Sequence, residues 1–587
     1  MTRTQPVRIG CFAAFWGDTK FAIRDILDGA EVDYLVADYL AEITMALLAR
    51  ARAKDPEGGF IADFVTTIKP VLPEIAQRGI KVVCNAGALN PVAAAEAVRA
   101  ACAEAGVSLT VAAVEGDDLL PRAGELAGSR DMFTGAVLPS RPGSMNAYLG
   151  ARPVAEALAA GADVVVTGRC VDAAVVLGPL MHEFGWKDDE YDLLAAGSLI
   201  GHLVECGPQV TGGNVTDWEA VPGWENMGYP VAECRADGSA VITKPRGTGG
   251  RVVPETVGEQ MLYEIGDPGA YLMPEVVCDW RGVSLVQDGV DRVLVSGARG
   301  SAPSTRYKVT ATSVEGYRAL TTALFAGAGA TGKARKTAEA VIARTERLIA
   351  AAGFAPLTES SIEVVGAGDV SGDRESGSGT EALVKIGVKH AERAALDIFA
   401  TEFVSYSLVA QGMTGFFAGR PRVAPAIVVH HLLVPKADFP VRVLIREGDA
   451  DERVIDVEVS PGSPDAVTST PTLPENPAPT GGRTVPLAEV AVARSGDKGN
   501  LANIGVIARK PEYVDILHSQ VTAERVAAHL AHLNPGPIRR WALPGINAIN
   551  IVIDEVLGGT GGTSTLRYDP QGKSYAAMLL TLPVEVP

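Results

Sequence analysis

Between residues 7 and 167 the chain repeatedly sets a short apolar, β-branched run beside a stretch of helical periodicity. Val7–Phe12, Val32–Ala37, Lys81–Cys84, Leu109–Val114 and Asp163–Thr167 read as strands, each bounded by polar residues or glycine. Residues 39–52 and 91–105 read as helices, and 61–78 as a helix broken near Pro70. Strands that are apolar throughout and separated by helices must bury both faces, which is the condition of a parallel sheet. The expected fold of residues 1–185 is therefore an α/β, doubly wound, mostly parallel sheet. A (β/α)8 barrel is the second choice, because it needs eight such units and about five are visible.

Beyond residue 185 the pattern changes. Gly-, Pro- and Trp-rich loops precede strand-like pieces at 240–243, 271–280 and 292–296, an Ala-rich stretch at 314–352 reads as helix, and 423–459 reads as strands. Residues 186–459 are taken as a second α/β segment packed on the first. Residues 460–484 carry six prolines in 25 positions and almost no large apolar side chain, the composition of a linker. Residues 485–587 have the length of an independent domain and read as a small α+β unit of ferredoxin-like type, with strands expected at 485–494, 501–508, 549–557, 563–568 and 575–583 and a helix at 511–533.

Composition narrows the function classes. Seventy acidic against 52 basic residues give a net charge of −18, which repels phosphate backbones and speaks against nucleic acid as the main partner. No uninterrupted apolar window is long enough to cross a bilayer, and MTRTQPVRIG has no signal-peptide core. Seven scattered cysteines form no CxxC pair, so a reduced cytoplasmic protein without a zinc ribbon is expected. GCFAAFWGD lacks GxGxxG and there is no GxxxxGK[ST], so no NAD, flavin or P-loop nucleotide is expected.

Parallel sheets place ligands at the carboxyl ends of their strands. Those ends carry Asp18, then Asn85, Gly87 and Asn90, then Glu115 and Asp117, then Arg169 and Asp172. Asp18, Glu115, Asp117, Arg169 and Asp172 are the catalytic candidates, as acids, bases, divalent-metal ligands or an oxyanion holder. Asn85, Gly87 and Asn90 are binding candidates, although Asn, Asp and Gly at such places also serve as caps and turns. The loop 244–251 has three glycines and three cations, so Arg246, Gly249 and Arg251 suit a phosphate or carboxylate. Arg494, Asp497, Lys498 and Asn500 sit between two strands in a stretch too long and charged for a minimal hairpin turn, and form either a solvated loop or a second candidate anion site. His202 and Glu205 share a helix face and are either an acid–base or metal pair or a solvated helix end. His430 and His431 are adjacent on a strand, face opposite ways and are taken as structural.

RIGCFAAFWGD, VDYLVADYLAEITMALLARAR, KVVCNAGALNP and DVVVTGRCVDAA, with ARSGDKGNLANIGV, NPGPIRRWALPGINAINIVIDEVLGGT and LRYDPQGK near the end, resemble the acyclic terpene utilisation protein AtuA family. The resemblance implies a place in the breakdown of branched terpenols, whose steps run through CoA thioesters. It supplies no catalytic residues. The expectation is an enzyme acting by hydratase or lyase chemistry on an acyl-CoA or related carboxylic acid, as a homo-oligomer, with a divalent metal open. The alternative is a binding or assembly factor whose C-terminal domain docks pathway partners.

Overall fold

In a computed structural model of the 587-residue chain, residues 3–372, 379–414, 419–448, 450–468, 473, 482–559 and 564–587 are described. The first six strands are β1 (Val7–Ala13), β2 (Tyr34–Ala37), β3 (Lys81–Ala88), β4 (Thr110–Glu115), β5 (Ser144–Ala147) and β6 (Val164–Gly168). Five of them form a parallel core in the order β1-β2-β3-β6-β4. Alternate residues divide between two hydrophobic layers, as the period of two requires. Leu35, Val82, Val111 and Val164 face one layer, whereas Tyr34, Val36, Val83, Ala112 and Val165 face the other. The helix after β1 and the helices between β2 and β4 pack on the first layer; those flanking β6, Arg152–Ala159 and Ala174–Phe184, pack on the second. The sheet is open, not a barrel.

The sheet does not stop where the parallel repeat fades. Val231–Cys234, Ala240–Thr243, Val293–Ser296 and Ser284–Gln287 continue it antiparallel beyond β1, and Val441–Glu447 and Arg453–Val457 continue it beyond β4, to eleven strands. Residues 186–459 therefore contribute to both edges of the first sheet and are not simply a layer laid upon it. Their remaining strands build a second sheet around Arg306–Ala326. This 21-residue strand corrects the helical reading of residues 314–326: it pairs on one side with Glu381–His390 and on the other with Arg422–Pro435. Pairing along both edges overrides the helix propensity of its alanines. The helix begins only at Ala330. β5 pairs with the start of this long strand and bridges through Asn146 to Asp118, just beyond β4, so it couples the two sheets.

Residues 460–468 run against Pro303–Ser304, through Ser463 N–H to the Pro303 carbonyl at 2.7 Å. Residues 469–472 and 474–481, most of the expected linker, lie outside the described residues. The C-terminal unit is an antiparallel sheet ordered Ala491–Lys498, Leu501–Ala508, Ala548–Ile553, Ile538–Leu543, with Arg483–Pro486 and Pro583–Val586 paired separately. Four expectations change here. The first strand continues to Lys498, and the segment expected as a long loop narrows to Gly499-Asn500, with Gly499 at φ 63°. A strand at Ile538–Leu543 was not foreseen. Tyr575–Leu579 is a helix, not a strand, because its apolar residues pack at helical spacing onto the first strand of this sheet. Residues 564–568 form no strand, and residue 563 lies outside the described residues. Among the described residues no helix is long and apolar enough to cross a membrane.

The C-terminal sheet lies on its own chain through a face that carries glycine. A Cβ at Gly505 would stand 2.3 Å from Leu262 Cβ, and one at Gly496 2.4 Å from Tyr263 Cε2. Buried Asn503 donates to the Leu262 carbonyl at 2.6 Å and accepts from Glu264 N–H at 2.9 Å, and Asn550 donates to the Ile265 carbonyl at 3.0 Å. Overpacking such a contact destabilises by about 1–3 kcal/mol. Gly505→Ala is therefore expected to lower the unfolding free energy of the whole chain by about that amount, read as a lower urea midpoint at unchanged slope.

Candidate functional site

The loops after β2 and β3 leave the sheet toward one helical layer and the loop after β6 toward the other, which opens a crevice between these strand ends. Asp38 follows β2 directly, Asn85 lies in the end of β3, and Arg169 and Asp172 follow β6. Asn85 is fully buried: its amide nitrogen donates to Asp38 Oδ1 and its oxygen accepts from Tyr39 N–H at 2.8 Å. Arg169 donates to Asp172 Oδ1 at 2.8 Å and to the Leu40 carbonyl at 3.2 Å. Glu205, which ends the helix Tyr191–Glu205, completes a cluster in which oxygens of Asp38, Asp172 and Glu205 lie within 4.8 Å of one another.

Asp117 sits behind Arg169. It is buried and accepts from Arg169 N–H and from Asn146 Nδ2, both at 2.8 Å. Gly87 is required here: a Cβ would meet the Thr167 carbonyl at 2.6 Å and Pro91 Cα at 2.7 Å, so β3 and β6 approach at their ends only without a side chain. Gly168 has the same constraint against Asp117.

A cavity of about 650 Å³ opens beside the cluster. Phe133, Val171, Leu272, Met273 and Leu433 give it an apolar wall, and Glu42, Tyr148, Lys308, His431, Glu264 and Lys498 a charged end. Tyr148 stands between two cations: the Arg169 guanidinium carbon lies 4.2 Å from its ring centre and Lys308 Nζ 4.6 Å. Its hydroxyl donates to Glu42 at 2.8 Å. Pairing of β5 with Arg306–Ala326 brings Lys308 there, and pairing of that strand with Arg422–Pro435 brings His431, whose Nδ1 lies 3.2 Å from Thr310 Oγ1. Lys498 enters from the C-terminal hairpin, 45% exposed to the cavity and 3.0 Å from Glu264.

Electrostatics follow from this crowding. Burial, then the charges of Asp172 and Glu205, raises the Asp38 carboxyl well above the usual carboxylate range. Burial and Asp172 do the same to Glu205. Enclosure also acts to raise Glu42, but Lys308 at 3.6 Å and Arg169 outweigh it and hold Glu42 well below its ordinary value. Burial, reinforced by Lys308, pushes His431 down to about 3, so its imidazole is neutral. Burial works against the Lys498 charge, but Glu264, Tyr271, Asp172 and Glu42 hold it well above the usual amine range.

The other candidates are dispersed. Asp18 accepts from Ala14 N–H, Thr19 N–H and Tyr229 Oη and braces the loop after β1. Asn90 caps the helix Pro91–Ala105, accepting from Ala93 N–H at 3.2 Å. Glu115 pairs with Arg442 at 3.3 Å, away from the cluster on the antiparallel side of β4. Arg246 lies at the opposite end of the sheet, its N–H on the Gly29 carbonyl ahead of β2. Gly249 packs on Gly223, and Arg251 lines a separate hollow with Asp217 and Glu259. Arg494 is buried over Tyr263 and donates to the Asn214 carbonyl at 2.6 Å; Asn500 accepts from Gly559 N–H at 3.2 Å. Asp497, like Lys498, lines the cavity. The structure thus gathers Asn85, Arg169, Asp172, Asp497 and Lys498, and adds Asp38, Glu42, Tyr148, Glu205, Glu264, Lys308 and His431.

This is a mixed-sheet α/β protein with a strand-end crevice that a second sheet and a C-terminal domain close. The chain belongs to the acyclic terpene utilisation family, AtuA, whose description matches residues 7–445, and residues 485–585 match the AtuA ferredoxin-like domain. No curated protein and no solved structure matches it.

Burial raises the Asp117 carboxyl from 3.8 to about 7. The folded chain therefore keeps a proton that the unfolded chain has released, and wild-type stability falls as the pH rises through that window. Asp117→Asn is expected to remove this slope, so in urea melts at successive pH values its stability relative to wild type improves between pH 4 and 7.

Proposed function

We propose that this chain is an enzyme of acyclic terpene breakdown that hydrates, dehydrates or cleaves a branched carboxylic acid held as its CoA thioester. One observation carries the reading: a cavity with an apolar wall wide enough for a branched chain ends in Lys308, Lys498, Glu42 and neutral His431, beside the Asp38–Asp172–Glu205 cluster. Hydration and carbon–carbon cleavage share one intermediate. In hydration a base takes a proton from water as its oxygen bonds the β-carbon; in cleavage the base takes the β-hydroxyl proton as the Cα–Cβ bond breaks. Either way the electron pair ends on the thioester oxygen as an enolate, which a proton at the α-carbon then quenches. Glu42, held ionised, and His431, held neutral, can accept hydrogen bonds from the reacting water or hydroxyl and orient it. Lys498 and Lys308 face the place where the oxyanion forms. Arg169 acts through Asp172 and the Leu40 carbonyl, and Arg306 at the cavity wall is available to a CoA phosphate. The docking-module reading of the C-terminal domain is less well supported, because its glycine-bearing face is covered by Leu262–Glu264 of its own chain.

The full chain should be stabilised by branched acyl-CoAs, by ~2.7 kcal/mol at 100 times the dissociation constant. It should also convert β-methyl enoyl- or β-hydroxyacyl-CoAs to products detected by mass. Lys498→Met is expected to lower kcat by about 100-fold or more, the size of losing an oxyanion donor. Absence of both stabilisation and turnover with a folded protein would remove the reading.

A further inference from the structure

We propose that Asp38, Asp172 and Glu205 bind one hard divalent cation of the Mg²⁺ or Mn²⁺ class. The proposal deepens the reading of this crevice as a reaction centre and rests on it for the ion's role, though not for the ion's binding. The three carboxylates arrive from unconnected places: the end of β2, the loop after β6 and the end of the helix Tyr191–Glu205. Their oxygens lie within 4.8 Å of one another. Oxygens on an octahedral ion at ~2.1 Å stand ~3 Å apart as neighbours and ~4.2 Å apart across it, so small side-chain rotations close the set.

The protein's own donors leave the required oxygens open. Asp38 Oδ1 takes the Asn85 amide and the Leu40 N–H, and Asp172 Oδ1 takes Arg169. Among the described residues no hydrogen bond reaches Asp38 Oδ2, Asp172 Oδ2 or the Glu205 side chain. Asn85 and Arg169 thereby stand as outer partners that orient two of the ligands, as around bound metals.

An independent observation comes from His202, which is 2% exposed. Its Nε2 lies 3.2 Å from the Met261 carbonyl and must carry the hydrogen. Its Nδ1 is then a buried lone pair with no hydrogen-bond partner, 3.4 Å from Glu205 Oε1. Two lone pairs facing across that gap need positive charge nearby. Arg169 is held by Asp172 and the Leu40 carbonyl, and Lys498 by Glu264. A proton on Glu205 would satisfy His202 alone; one dication would answer Asp38, Asp172 and Glu205 together. The carbonyls that end the helix at Glu205 add further negative potential.

An all-carboxylate set favours a hard ion over zinc or copper. Such an ion beside the cavity would polarise the thioester carbonyl and stabilise its enolate.

The test is an electron paramagnetic resonance titration of the metal-stripped full chain with Mn²⁺ alone. Wild type is expected to take up one Mn²⁺ per chain, released by excess Mg²⁺. Asp172→Asn, at the most exposed of the three ligands, and Glu205→Gln should each weaken binding by about 10-fold or more while keeping the wild-type circular dichroism and a cooperative melt. A wild-type chain that holds no Mn²⁺, or variants that bind it as wild type does, would overturn the proposal. Because no thioester is used, Mn²⁺ binding by a chain that turns over no acyl-CoA would uphold the cation site and remove the reaction reading. Turnover without Mn²⁺ binding would do the reverse.

Discussion

Buried carboxylates of like charge cannot stand together without compensation, since the cost of desolvating each is several kcal/mol. At the centre of this molecule Asp38, Asp172 and Glu205 converge, with Glu42 and Glu264 on the neighbouring cavity wall. The cations that answer them come from three remote parts of the chain: Arg169 from the loop after β6, Lys308 from the second sheet and Lys498 from the C-terminal domain. One hydrophobic cluster runs from the first sheet through Val309 and Leu432 of the second sheet to Val492 and Ile507 of the C-terminal domain, and joins the three. The exchange of charge aligns their ends at one site, mediated by Tyr148 between Arg169 and Lys308 and by Glu264 beneath Lys498.

The parallel core was legible because its strands are short, apolar on both faces and punctuated by glycine and proline; Pro70 breaks the helix between Ile68 and Leu72 as its missing N–H requires. The second sheet was legible only in part: 423–459 read as strands, and Arg422–Pro435 is one of its strands, but the long strand beside it was missed. Arg306–Ala326 owes its extended form to partners at 381–390 and 422–435, and no local pattern in an alanine-bearing stretch announces such distant pairing. The C-terminal hairpin was misjudged for a related reason: charged residues suggested a solvated loop, yet Arg494 is buried over Tyr263 and Asp497 and Lys498 line the cavity.

The site shows the same division. Arg169, Asp172 and Asn85 follow from the rule that ligands gather at strand ends, and that rule applied to β2 would also have named Asp38. Glu205 was visible as the neighbour of His202 on one helix face, but its convergence with Asp38 was not. Lys308 carried no signal and His431 was read as structural, because strand pairing places them; His431 faces the cavity, whereas His430 turns to Ser313 at 3.1 Å. Asn90, Asp18 and Glu115 show the limit of the rule: the residue types that bind ligands at strand ends are also those that cap helices and brace turns.

The hairpin that ends in Lys498 also bears on how this protein is inherited. Residues 485–587 are bounded like a separate domain, yet Asp497, Lys498, Gly499 and Gln571 complete a cavity made otherwise by residues 41–468. Supplied as a second polypeptide, that lysine would reach the cavity only at the concentration of its carrier. Joined to the same chain, it is present at an effective concentration on the order of millimolar. Covalent fusion therefore makes completion of the cavity independent of how much protein the cell makes, and a break anywhere between residues 468 and 485 would return that dependence.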